Sequence, residues 1–120
     1  MFFISAITMI ILDAIYLTTT SNFYNNQIMA IQGSNVKLKL IPTFLTYISL
    51  IFGLNYFILS EKKSVKDAAI LGFIIYSVFE LTNMAIFDKW SINAVILDTV
   101  WGATLFALTT YITYKLSSML

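Results

Sequence analysis

Four long apolar runs alternate with three polar stretches along the chain. The first runs from Phe2 to about Thr20 and is interrupted only by Asp13. At about 1.5 Å per residue it is long enough to cross a hydrocarbon core of about 30 Å. The stretch Ser21 to Lys39 holds Asn22, Asn25, Asn26, Gln27, Gln32, Gly33 and Asn35, which do not belong in lipid. Within it Phe23, Tyr24, Ile28 and Ile31 recur at helical spacing, between a cap at Ser21 or Asn22 and a stop at Gly33. That pattern predicts a short interfacial helix over about 22–33, separate from the first span. A second span is expected over about 40–59, with Pro42 in its first turn where a missing N–H costs least. The segment Ser60 to Lys66, SEKKSVK, must lie in water. Asp67 suits a helix N-terminus, and a third span follows over about 68–87. Asp88 and Lys89 close it, Trp90 reads as an interfacial anchor, and a fourth span covers about 92–116. Tyr111, Tyr114 and Lys115 form an aromatic and cationic rim at its end.

The expected fold class is therefore all-α: a polytopic membrane protein, one domain over residues 1–120, with four transmembrane helices in a compact bundle. Composition agrees with this. Hydrophobic residues make up 59% of the chain and charged ones 11%, against about 25% charged in a soluble domain, so too few polar side chains exist to cover a small globule. No repeat period and no low-complexity tract appears. A cleaved signal peptide is disfavoured, because no lysine or arginine precedes the first run and Asp13 interrupts it. Ser49/Gly53, Ala68/Gly72 and Ala103/Ala107 have the spacing that lets membrane helices approach closely. Four spans place both termini and the 60–66 turn on one side. That side carries Lys62, Lys63, Lys66 and Lys115, against Lys37, Lys39 and Lys89 on the other, which favours a cytoplasmic location for the termini and turn.

Several chemistries are excluded by what is missing. Histidine and cysteine are absent, and all seven cationic side chains are lysines. Disulfides, thiolate chemistry, the usual zinc and haem ligands and the commonest general base are therefore unavailable. No nucleotide-binding glycine motif occurs. A formal net charge of +1 gives no basic field for nucleic acid. No catalytic residue, cofactor or metal is expected. The expected partners are the lipid bilayer and either a second copy of the chain or another membrane protein.

The informative residues are the acids inside the spans: Asp13, Glu80 and Asp98. An ionisable group at such depth costs at least about 2.5 kcal/mol, so it is seldom present without a partner or a purpose. Counted at helical rise, Asp13 lies about 16 Å and Glu80 about 18 Å in from the terminus side, and Asp98 about 9 Å in from the opposite side. All three then fall near one level, slightly beyond the midplane, and can share one polar centre. Asp13 is followed by Tyr16 and Thr20, Glu80 is flanked by Tyr76 and Asn83, and Asp98 is followed by Trp101, Gly102 and Thr109. Tyr47 of the second span lies at comparable depth, and Asn55 lies nearer the SEKKSVK side. No lysine reaches that depth. The carboxyl groups must be protonated, hydrated, or paired with a cation from outside the chain.

Two readings follow. In one, Asp13, Glu80, Asn83 and Asp98 form a site that binds or conducts a proton, cation or small polar solute, with Tyr16, Tyr47, Tyr76, Trp101 and Gly102 around it. In the other, the acids only fix helix packing in a structural or accessory subunit, hydrogen-bonded to Tyr16, Asn83 and Trp101. A lipid-modifying enzyme using paired carboxylates as acid and base ranks behind transport.

The stretches Leu12-Asp13-Ala14-Ile15-Tyr16-Leu17, Phe23-Tyr24, Glu80-Leu81-Thr82-Asn83-Met84-Ala85, Trp90 and Asp98-Thr99-Val100-Trp101-Gly102 occur in that order. In them the chain resembles the predicted membrane proteins grouped as domain of unknown function 2177, over nearly its whole length. That family typically has an LDxxWL stretch in the first helix, an acid followed by LTN in the third and DxxWG in the fourth. Here Tyr16 stands in place of the first tryptophan, which keeps an amphipathic aromatic but removes the indole. The resemblance implies a four-helix integral membrane protein and points to Asp13, Glu80, Asn83, Asp98, Trp101 and Gly102. It implies no activity.

Overall fold

A computed structural model describes residues 1–120. It has four α-helices, α1 (Phe2–Gln32), α2 (Leu40–Leu54), α3 (Val65–Ile86) and α4 (Ile92–Met119), with a π-helical segment, Asn55–Leu59, prolonging α2. All four rods are long and apolar enough to cross a membrane. Only 20 of the 120 residues are buried, and Phe3, Ile15, Phe44, Phe73 and Phe79 are among the many large apolar side chains turned outward. Such a surface is stable only against hydrocarbon.

The separate interfacial helix expected over 22–33 is not formed, because α1 continues without a break through Ser21 and Asn22 to Gln32. Polar side chains mark where lipid ends, but they do not oblige a helix to end there. Breaking the rod at the headgroups would leave backbone groups unpaired for no gain. The helix stops at Gly33, whose φ of 73° places it in the left-handed region and whose N–H bonds the Met29 carbonyl at 2.9 Å. The polar residues of the extension hold the adjoining loops. Asn25 donates to Asn35 Oδ1 at 3.1 Å and accepts from the Val36 N–H at 2.9 Å. Gln27 donates to the Lys89 carbonyl and accepts from the Ser91 N–H at 3.3 Å. Both loops on that side thus hang from α1. On the opposite side Tyr114 Oη donates to the Lys63 carbonyl at 2.7 Å, joining the end of α4 to the SEKKSVK turn.

Helices α3 and α4 begin at serine caps: Ser64 Oγ accepts from the Asp67 N–H and Ser91 Oγ from the Ala94 N–H, both at 3.1 Å. The π-helical segment coincides with a side chain inserted beside the backbone. Asn55 Nδ2 donates to the Ile51 carbonyl at 2.8 Å and to Ser5 Oγ of α1 at 3.0 Å, and the Ser60 N–H reaches back to the Asn55 carbonyl at 2.8 Å.

The antiparallel pair α3 and α4 is the most extensive packing in the bundle; α1 lies against α4, and α2 leans lightly on α1. The α3–α4 seam closes on glycine. A Cβ on Gly72 would fall 2.2 Å from the Gly102 carbonyl oxygen, and one on Gly102 would fall 2.2 Å from Tyr76 Cγ. Ala68, one turn before Gly72, is fully buried, so the Ala68/Gly72 spacing serves this contact. Gly53 meets nothing within 4 Å, and the Ser49/Gly53 pair does not pack within the chain. On α4 the close approach falls to Gly102 rather than to Ala103 and Ala107, which are only half-buried. Apolar packing centres on Met9, Leu54, Leu59, Leu105 and Phe106, all essentially buried.

Gly72→Ala and Gly102→Ala are each expected to destabilise the bundle by at least about 1–3 kcal/mol, because backbone or a ring root must move. Gly53→Ala should be neutral or stabilising by up to about 1 kcal/mol, since the added methyl is unopposed and glycine is a poor helix former. Thermal unfolding of the three variants in one detergent checks the contrast.

Candidate functional site

Asp13 is buried on the inner face of α1. Its two carboxylate oxygens are taken by different helices: the Tyr47 hydroxyl of α2 donates to Oδ2, and the Trp101 indole N–H of α4 donates to Oδ1 at 2.9 Å. The Tyr16 ring lies edge-on to Trp101, with centroids 4.6 Å apart, and so helps to hold the indole in place. The expected pairing of Tyr16 with the acid of its own helix is not made. Its hydroxyl lies 2.6 Å from the Tyr24 hydroxyl and donates to Asp98 Oδ1 across the α1–α4 interface at 3.5 Å. Both oxygens of Asp13 are already taken by donors from other helices, and the Tyr16 hydroxyl reaches α4 instead.

Asp98 is half-buried. The Tyr76 ring of α3 covers Gly102 and lies edge-on to Phe106, with centroids 6.5 Å apart. The absence of a side chain at Gly102 is what admits that ring.

Glu80 differs from the other two acids. It is 0% exposed, and neither carboxylate oxygen has a hydrogen-bond partner. Asp98, Trp90 and Asn83 surround it. The contacts of Gly72 and Tyr76 with Gly102 set the antiparallel register that brings Glu80 level with the 95–99 stretch of α4. The Trp90 indole N–H is likewise buried and unpartnered. Every lysine is exposed, so nothing cationic within the chain faces the acids. The three carboxyl groups do not converge on one point that a metal ion could fill. A shallow groove of about 310 Å³ between α1 and α4 is lined by Ile15, Leu97, Val100 and Thr104 together with Tyr16 and Trp101, and no acid borders it.

Two neighbours of the acids are not legible as such in the sequence. Tyr24 falls in the expected interfacial helix; once α1 is continuous, it lies eight residues beyond Tyr16 and near the same face. Trp90 has the pattern of an anchor, and its place beside Glu80 depends on how the 87–91 connection folds back under the hold of Gln27.

A family model described as predicted membrane protein (DUF2177) matches residues 1–117 of the chain. Neither the curated proteins nor the solved structures contain a match to it.

Removing one donor from Asp13 should leave a buried oxygen bare. Tyr47→Phe and Trp101→Phe are each expected to cost about 1–3 kcal/mol. Their effects should be non-additive in a double-mutant cycle, because both act on one carboxylate. Thermal unfolding of the two single variants and the double variant measures the coupling.

Proposed function

The chain belongs to the family of predicted membrane proteins grouped as domain of unknown function 2177, and from the burial of its acids we propose that it carries an intramembrane proton-binding site formed by Glu80 and Asp98. One observation supports this reading above the others: Glu80 is fully buried, with Asp98 near it and only Trp90 and Asn83 placed to donate to it, neither in a well-formed hydrogen bond. Two adjacent carboxyl groups in a low-dielectric interior, with no internal cation, retain at least one proton between them. The pair can take up or release that proton when an aqueous phase reaches it. Asn83 and Trp90 offer an amide and an indole N–H to the ionised form. Asp13 is not a proton donor in this scheme, since Tyr47 and Trp101 already occupy both of its oxygens. A bundle of four helices is small for a complete pathway, so the proposal includes self-association or a partner membrane protein.

The satisfied state of Asp13 favours a second reading, in which the acids hold helices in register within a structural subunit. Replacing a carboxyl by its amide separates the two. Protein reconstituted in vesicles with a trapped pH-sensitive dye and an imposed membrane potential should pass protons. Glu80→Gln and Asp98→Asn should each lower the flux at least about tenfold while the melting temperature is unchanged or raised. Wild-type vesicles no leakier than empty ones, or variants that conduct like the wild type, would leave the structural reading standing.

A further inference from the structure

Glu80 is 0% exposed, yet it lies only about 10 Å along α3 from Phe87, where that helix ends. Just beyond Phe87 the chain is in water, for Asp88 and Lys89 are both exposed. Trp90 stands between. It is half-buried beside Glu80, its indole nitrogen is buried, and its ring lies against that of Phe87 with centroids 6.2 Å apart. An indole is a broad apolar plate, so laying it over a carboxyl group keeps water from that group.

Trp90 does not hold itself in that place. Within the connection its N–H reaches the Phe87 carbonyl at 3.2 Å, which fixes the local turn but not where the turn sits on the bundle. That is set from α1. The Gln27 side chain donates to the Lys89 carbonyl and accepts from the Ser91 N–H at 3.3 Å, so one amide grips the backbone on both sides of Trp90. The fit is specific to glutamine: a carboxylate of the same length has no donor for the carbonyl, and asparagine is one methylene shorter. Gln27 is available there only because α1 runs on unbroken past Ser21 to Gln32.

We infer that Gln27 is a positioning residue, which holds Trp90 over Glu80 and so shuts the acid pair off from water on the side opposite the termini. Releasing the grip lets the 87–91 connection lift and exposes Glu80 to that side. Such an opening involves one short connection and leaves the α3–α4 seam intact. Two neutral hydrogen bonds at a wet surface are weak enough to break and re-form repeatedly. What passes through the opening rests on the reading of Glu80 and Asp98 as a proton site; the closure itself does not.

The chain contains no cysteine, so a single Glu80→Cys substitution reports access without background, and Asn83→Cys serves as a second reporter should the first fail to fold. In lipid vesicles either thiol is expected to react slowly with a charged, membrane-impermeant methanethiosulfonate, and only from the side opposite the termini. Adding Gln27→Ala should raise the rate at least about tenfold, and Gln27→Glu, which keeps the acceptor for Ser91 but loses the donor, should raise it less. Leu81→Cys, which faces lipid, should stay unreactive in both backgrounds. In Trp90→Ala the rate should already be high and Gln27→Ala should add nothing, which separates action through Trp90 from a general loosening of the fold. Equal rates with and without Gln27, labelling from the side of the termini, or a further rise on adding Gln27→Ala to Trp90→Ala would each overturn the proposal. Gln27-dependent labelling together with an undiminished proton flux in Glu80→Gln would keep the closure and remove the proton site.

Discussion

In hydrocarbon a carboxyl group has no solvent to turn to, and Asp13 meets that demand by drawing a donor from each of two other helices. Tyr47 gives α2 a directional tie to α1, in addition to the core packing of Ile51 and Leu54 and of Ile58 and Leu59 in its continuation. Trp101 ties the same acid to α4. Lipid is as apolar as leucine, so burying apolar area adds little to helix association in a membrane, and directional contacts of this kind carry more of the specificity. The second polar tie on α2, from Asn55 to Ser5, repeats the logic at the other end of the rod.

The α3–α4 seam is built on a different principle. Gly72 and Gly102 bring two backbones close enough that packing alone holds them. This rigid pair supplies the frame on which Glu80, Asp98 and Tyr76 are set. One half of the bundle is therefore fixed by close backbone contact, and the other joins it through buried side chains and hydrogen bonds. The two unpartnered oxygens of Glu80 lie on the rigid half.

Much of the architecture was legible because hydropathy is a local, additive property. The four runs, the aqueous SEKKSVK turn and the stop at Gly33 needed only the residues themselves. The false break near Ser21 shows where that reasoning ends: polarity reports the solvent around a residue, and the backbone continued into water because its own hydrogen bonds favoured doing so. The loops at 33–39 and 87–91 then attached to that extension through Asn25 and Gln27, which linear spacing did not indicate. Small-residue spacing was equally indiscriminate. Ala68/Gly72 and Ser49/Gly53 look alike in the chain, and only the first faces a neighbour.

The depth of each acid follows from counting residues along a rod of fixed rise, and the absence of an internal cation follows from composition. Both were fixed before any helix met another. Which hydroxyl or indole meets which acid is a different kind of fact, because it depends on helix rotation and on the one-turn reach of long aromatic side chains. Tyr16 therefore serves Asp98 instead of Asp13. For the same reason Thr109 and Thr113 of α4 are buried while Thr104 of the same helix is exposed and closes on its own backbone. Sidedness of that sort arises only when rods with nearly uniform hydropathy are assembled, and the Gly72–Gly102 contact sets the rotation that decides it.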